Sequence, residues 1–162
     1  MYIEYNNLPS DSRVWIYQAE RELTPKEVAF VKERTIDFIN QWTRHGADLK
    51  GSFTIKYNQF LILGVDERFN NVSGCSIDAS VQFVQKLQDH LGVDFMDKMK
   101  VTFKDGNKIN IVQLSDFQEC VKQEKITENT IVFNNLVTTK TDLITNWEVP
   151  AKQSWHKRFL LV

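Results

Sequence analysis

The chain has 162 residues, 42% hydrophobic and 25% charged, which is typical of a folded domain whose core needs no disulfide or metal. Twenty Lys and Arg against 21 Asp and Glu leave a net charge of −1, which excludes a global field that attracts nucleic acid or an anionic membrane. The first residues do not resemble a signal peptide and no run of about 18 apolar residues occurs, so we expect a cytoplasmic protein without either partner.

The first elements have clear start signals. Residues 13–18 are rich in β-branched and aromatic side chains and predict a strand. Thr24-Pro25-Lys26-Glu27 combines an N-cap, a first-turn proline and a capping-box glutamate, so it predicts the start of a helix. Apolar residues then recur at helical spacing up to Trp42, and Gly46 is expected to end this helix.

A hairpin and a second helix follow. Residues 52–57 and 60–65 read as two strands around a tight Asn58-Gln59 turn. After a polar loop, the pattern from Ser76 to Leu91 predicts an amphipathic helix, which Gly92 can terminate.

The remaining signals are shorter. Residues 101–104 and 108–114 flank Asp105-Gly106, a strong turn dipeptide, and predict another hairpin. Ser115 to Gln118 suggests a capping box for a short helix, and Thr130 to Phe133 suggests a strand. We expect a single α+β domain over residues 1–162, in which residues 134–162 form a C-terminal extension or arm, with a helix or an extended end over Ser154 to Leu161.

This order of elements matches the split βαβ arrangement of ferredoxin-like folds: an antiparallel sheet with two main helices, here with an extra hairpin strand. In that topology the end of the first helix and the start of the second lie at one edge of the sheet. His45, Asp66, Glu67, Cys75 and Asp78 are therefore expected to converge there, and Arg13 and the Asp105-Gly106 turn to reach the same edge.

Cys75 is the leading candidate for chemistry, because it falls in the predicted first turn of the second helix. Free N–H groups and the positive end of the helix dipole favour a thiolate there. His45 is the candidate base beside it. The alternative is that Cys75 is a small buried core residue and that His45 caps the C-terminus of the first helix.

Other side chains are candidates for binding, and each has a structural alternative. Asp78 can bind a cation or simply stabilise the helix N-terminus. Trp155 and His156 lie in an aromatic and basic tail that is either a docking arm or part of the core. The full set of binding candidates is Arg13, Asp66, Ser76, Asp78, Trp155 and His156.

Cofactor motifs are missing from the sequence. No CxxC, HxH or HExxH spacing supports a metal site, and no GxxxxGK[ST] loop is present to hold a nucleotide phosphate. We expect no metal and no cofactor, and we expect both cysteines, Cys75 and Cys120, to be reduced.

Four segments together resemble a family of short bacterial proteins of unknown function, many of which are labelled "ABC transporter ATPase". They are residues 15–18 (WIYQ), 42–46 (WTRHG), 74–81 (GCSIDASV) and 154–159 (SWHKRF). The resemblance runs over essentially the whole chain and implies no site residues. The label itself does not fit, because the sequence lacks the phosphate-binding loop and lysine that such an ATPase needs.

Three functions follow as hypotheses. The first is a small domain that binds a small molecule or a protein through the edge holding His45, Cys75 and Asp78. The second is a thiol-dependent enzyme or redox protein that uses Cys75 with His45. The third is a structural homodimer formed through an open sheet face or edge.

Overall fold

A computed structural model describes residues 1–160, so Leu161 and Val162, the end of the predicted arm, lie outside the described range. The chain divides into two units. The first contains Met1–Met96 and the short segment Thr138–Thr141, and the second contains Asp97–Val137 and the chain from Asp142 onward. No helix in the described range is long and apolar enough to cross a membrane.

The first unit contains an antiparallel sheet and two long helices. Its elements are β1 Arg13–Gln18, α1 Pro25–Gln41, β2 Thr43–Arg44, β3 Ala47–Asp48, β4 Gly51–Lys56, β5 Phe60–Val65 and α2 Gly74–Leu91. The strand order β1-β5-β4 places β5 in the centre, and all six of its residues are buried. Strands β2 and β3 form a separate two-stranded ribbon.

Helix α1 begins where the capping box predicts. The Thr24 hydroxyl accepts a hydrogen bond from the Glu27 N–H (3.2 Å), and the Glu27 carboxylate accepts one from the Thr24 N–H (2.9 Å). Arg21 also donates two hydrogen bonds to that carboxylate, at 2.8 and 2.9 Å. These bonds hold the pKa of Glu27 at about 2, with the Arg21 guanidinium as the largest cause.

The core of the first unit lies between the helices and the sheet. Val31 and Ile39 of α1 and Val84 and Leu87 of α2 are buried against strand residues. A Cβ atom at Gly51 would lie 3.2 Å from Cγ2 of Ile39, so glycine there allows α1 to pack closely on β4. Burial of these apolar faces is the main source of stability, at about 25 cal/mol per Å².

The second unit has its own sheet and core. Its strands and main helix are β6 Lys100–Asp105, β7 Lys108–Gln113, α3 Leu114–Lys122, β8 Ile131–Phe133 and β9 Glu148–Pro150, in the antiparallel order β7-β6-β8-β9. Phe117 and Val121 of α3 are buried in this core. Helix α4, Lys140–Thr145, begins in the first unit's segment, and two short 3-10 turns, Ala151–Gln153 and Trp155–Phe159, follow β9.

Most predicted elements are present, with local corrections. Helix α1 ends at Gln41 and not at Gly46. The hairpin turn lies at Tyr57 and Asn58, whose φ angles of 55° and 51° match a type I′ turn, one residue before the predicted pair. Helix α3 starts at Leu114 without a side-chain cap, so the predicted capping box at Ser115 is wrong.

The α+β class and the antiparallel pairing are confirmed, but the ferredoxin-like arrangement is not. That fold needs the chain after α2 to return to the first sheet, next to β1. In the described chain it enters a different sheet instead, where β6 pairs with β7 and β8. The predicted extra hairpin therefore belongs to the second sheet, and the predicted arm supplies a regular strand, β9.

We expect Glu27→Gln to destabilise the first unit by about 1 kcal/mol at neutral pH, the usual value of a helix cap. Because the pKa of Glu27 is lowered in the folded chain, its contribution is complete above its ordinary value of 4.5 and is lost as the pH falls towards 2. Melting curves should therefore show a smaller loss of stability between pH 5 and pH 3 for this variant than for the wild type. Glu33→Gln, at an exposed site on the same helix, is the control, and equal losses in all three proteins would contradict the prediction.

Candidate functional site

A groove of about 810 Å³ lies between α1 and α2 in the first unit. Its floor is mainly apolar and contains Phe38, Trp42, Ala79, Phe83 and Leu87. The rest of its lining is largely polar and comprises Arg34, Asp37, Gln41, Thr43, His45, Cys75, Gln82, Lys86 and His90, together with Phe30.

Three contacts show that the two helices run antiparallel along the groove. At one end the rings of Phe30 and His90 stack with centroids 4.3 Å apart. In the middle the rings of Phe38 and Phe83 stack at 4.4 Å and are nearly parallel. At the other end Trp42 contacts the first turn of α2. From Phe30 to Gln41 the groove follows α1 for about 17 Å, at 1.5 Å per residue.

Two hydrogen bonds join the end of α1 to the start of α2. The indole Nε1 of Trp42 donates to the carbonyl of Ser76 (2.8 Å), and the hydroxyl of Ser76 donates to the carbonyl of Thr43 (2.9 Å). Trp42 and Ser76 are both buried. We call this pair of bonds the Trp42–Ser76 clamp. It fixes the position of the first turn of α2, and therefore of Cys75, relative to the ribbon that follows α1.

His45 lies at the tip of that ribbon. With Gly46 it forms the two-residue turn between β2 and β3, and both residues have left-handed φ angles, 51° and 82°. Because α1 ends at Gln41, the alternative that His45 caps this helix is wrong. The side chain of His45 is exposed and lines the groove.

Cys75 lines the same end of the groove. It is the second residue of α2, whose N-cap, Ser73, accepts a hydrogen bond from the N–H of Ser76. Its side chain is exposed, so the alternative of a buried core cysteine is wrong. The structure thus brings two of the predicted residues, His45 and Cys75, to one groove.

The other predicted residues of the first unit do not line the groove. Arg13 lies on β1 with its guanidinium 4.9 Å from the centre of the Trp15 ring. The carboxylate of Asp66 is buried and accepts a hydrogen bond from the N–H of Arg68, which shapes the loop after β5. Ser76 acts through the clamp, and Asp78 is exposed in the first turns of α2.

Trp155 and His156 belong to the second unit and are part of its core region. His156 is fully buried, stacks on Trp155 at 3.8 Å and contacts Phe117 at 5.7 Å between ring centroids. Its Nδ1 is hydrogen-bonded to the hydroxyl of Ser154, and its Nε2 has no partner within residues 1–160. Burial lowers the pKa of His156 to about 4, so the ring is neutral at physiological pH.

Sequence reasoning missed most of the groove. The candidate residues predicted from the sequence do not include Phe30 and Phe83, nor the polar groove residues Arg34, Lys86 and His90. The available signal was the pair of phenylalanines, because a large aromatic residue beside the buried stripe of a helix marks either an extended core or a binding surface.

Comparison with known protein families, with curated proteins and with solved structures finds no match for this chain. The resemblance to the short bacterial family therefore stays a prediction. Within residues 1–160 no group of three or more His, Cys, Asp or Glu side chains is arranged to hold a metal ion.

We expect the second unit to lose stability as the pH falls from about 6.5 to about 4. The unfolded chain binds a proton on His156 near pH 6.5, whereas the folded chain resists protonation until about pH 4, so acid favours unfolding by up to about 3 kcal/mol. Melting followed by tryptophan fluorescence should show this loss in the wild type and in His90→Gln, but much less in His156→Phe. An NMR titration of the folded protein in which the His156 ring titrates near pH 6.5 would contradict it.

Proposed function

We propose that the first unit is a binding domain that holds a small organic molecule in the groove between α1 and α2. The single observation that carries this proposal is the groove itself, which has an apolar aromatic floor and a rim of polar side chains. Its volume of about 810 Å³ lies within the range of roughly 300–1,000 Å³ that is usual for small-molecule sites.

The floor suits an apolar ligand body. Phe38 stacks on Phe83 and also contacts Trp42 at 5.1 Å between centroids, and Trp42 in turn contacts Trp15 at 5.9 Å. Each ring is held by the next, so little side-chain entropy is lost when a ligand covers them. A preformed aromatic surface of this kind favours binding of a planar or aliphatic group.

The groove can be tested with N-phenyl-1-naphthylamine, an uncharged aromatic probe whose fluorescence rises in apolar surroundings. We expect saturable binding to one site. In a ¹⁵N correlation spectrum, the shifted amides should belong to α1, α2 and the β2–β3 ribbon. Gln82→Trp should weaken binding about tenfold, which corresponds to roughly 1.4 kcal/mol, because the new indole takes part of the groove.

Gln85→Trp is the matched control. Gln82 and Gln85 are both exposed residues of α2, but only Gln82 lines the groove. The control should bind the probe as the wild type does. Non-saturable binding, equal weakening by both substitutions, or amide shifts confined to the second unit would refute the proposal.

A second candidate function rests on Cys75 and His45, which are both exposed and line the same groove. In a thiol-dependent enzyme the imidazole would accept the thiol proton and the Cys75 Sγ would attack an electrophilic ligand atom. That chemistry requires the two side chains to come within hydrogen-bonding reach when a ligand is bound.

Alkylation of the native protein with iodoacetamide tests the second candidate. We expect Cys75 to react in the folded protein because it is exposed, and Cys75→Ser to remove this reaction while Cys120→Ser retains it. If His45 activates the thiol, His45→Gln should slow the reaction about tenfold or more, and His90→Gln should leave the rate unchanged. Equal alkylation rates in the wild type and His45→Gln would reject the enzyme hypothesis and leave the binding domain as the proposed function.

The finer fold assignment, the cellular location and the oligomeric state also remain proposals. The order β1-β5-β4, with α1 joining the two outer strands, supports a split βαβ relationship for this segment alone. Cytoplasmic location and a homodimer stay predictions.

A further inference from the structure

We infer that the ligand of the groove is an organic anion, with its charged group bound at the end formed by Arg34, Lys86 and His90 and its apolar body lying along the aromatic floor. This inference rests on the proposed function, because it specifies the class of molecule that the same groove takes. A carboxylate or a sulfonate on an aromatic or aliphatic body has the required chemistry.

The charges of the groove favour an anion. Its lining contains two permanent cations, Arg34 and Lys86, and one acid, Asp37. Among residues 1–160 neither cation forms an ion pair within 4 Å, so neither is neutralised by direct contact. The chain as a whole carries a net charge of −1, so the groove is positive against a slightly negative molecule.

The position of Arg34 makes it the main binding residue for the charged group of the ligand. Its guanidinium lies 5.1 Å from the centre of the Phe30 ring, and the same ring stacks on His90. Contact with the ring restricts a long side chain that would otherwise be free in solvent. A guanidinium offers parallel N–H donors that match the two oxygens of a carboxylate or sulfonate.

Helix dipoles do not reverse this preference. At this end of the groove the N-terminal half of α1 lies beside the C-terminal half of α2, as the contact of Phe30 with His90 shows. The two termini carry about half a charge each, of opposite sign, and their effects are confined to one turn. The full charges of Arg34 and Lys86 therefore decide which ligand charge is favoured.

The opposite end of the groove has no permanent cation in its lining. Gln41, Thr43, His45 and Cys75 surround it. A ligand with one anionic group is therefore expected to bind in one orientation, with its charge at Arg34 and its uncharged end towards Cys75.

The experiment compares two probes of similar body and different charge. 8-Anilinonaphthalene-1-sulfonate carries a sulfonate, whereas N-phenyl-1-naphthylamine has the same ring system without it. Arg34→Gln and Lys86→Gln should each weaken binding of the sulfonate about tenfold and change binding of the uncharged probe by less than about twofold. Asp37→Asn should strengthen binding of the sulfonate alone.

Lys32→Gln is the matched control, because Lys32 is an exposed lysine of α1 that does not line the groove. It should leave the binding of both probes unchanged, and circular dichroism should confirm that all variants are folded. Raising the salt concentration should weaken sulfonate binding in the wild type and have less effect in Arg34→Gln.

The outcomes separate the inference from the proposed function. If the uncharged probe does not bind in the groove, the proposed function fails and the inference fails with it. If the uncharged probe binds but the sulfonate responds equally to Arg34→Gln and Lys32→Gln, or to neither, only the anion is rejected. Weaker sulfonate binding in Asp37→Asn would also reject it.

Discussion

The architecture of the first unit depends on the Trp42–Ser76 clamp. A helix of 18 residues such as α2 can slide and rotate on a sheet unless something fixes its first turn, because apolar contacts have little direction. Hydrogen bonds do have direction, and here two of them run in opposite senses between the same short segments. They satisfy buried polar groups, so breaking either bond would leave an orphaned donor or acceptor that costs about 1–3 kcal/mol.

The groove follows from how the helices meet beyond the clamp. Along their length α1 and α2 are bridged by ring stacks, Phe38 on Phe83 and Phe30 on His90. Aromatic side chains can contact each other across a wider spacing between two helices than small aliphatic side chains can. Both helices therefore pack on the sheet while a groove remains between them. The bridges that hold the helices also form part of the surface that a ligand would touch, so stability and binding depend on the same residues.

Local signals in the sequence were sufficient for most of the longer elements, and topology was sufficient for part of the site. The capping residues correctly predict the start of α1, and Gly92 correctly predicts the end of α2. The predicted end of α1 at Gly46 is wrong. Placing the end of one helix and the start of the next at one sheet edge led to the expectation that His45 and Cys75 converge, and both line one groove. Asp66 and Asp78, expected at the same edge, do not line the groove, because topology fixes which ends of elements lie near one another but not which side chains face a groove.

What could not be predicted depends on long-range pairing. The Asp105-Gly106 turn predicts that β6 pairs with β7, but nothing local tells whether the other edge of β6 pairs with β1 or, as here, with β8. His156 is a similar case. The sequence left open a docking arm or a core role for it, and the structure shows the core role: Phe117, 39 residues earlier, belongs to the surroundings that bury its ring.

The charge of the groove differs from the charge of the whole chain. Composition argues against a strong global field, but binding depends on the local arrangement of charge at a site. Arg34 and Lys86 are separated by 52 positions in the sequence and face the same groove only because α1 and α2 are antiparallel. A nearly neutral chain can therefore carry a selective cationic site.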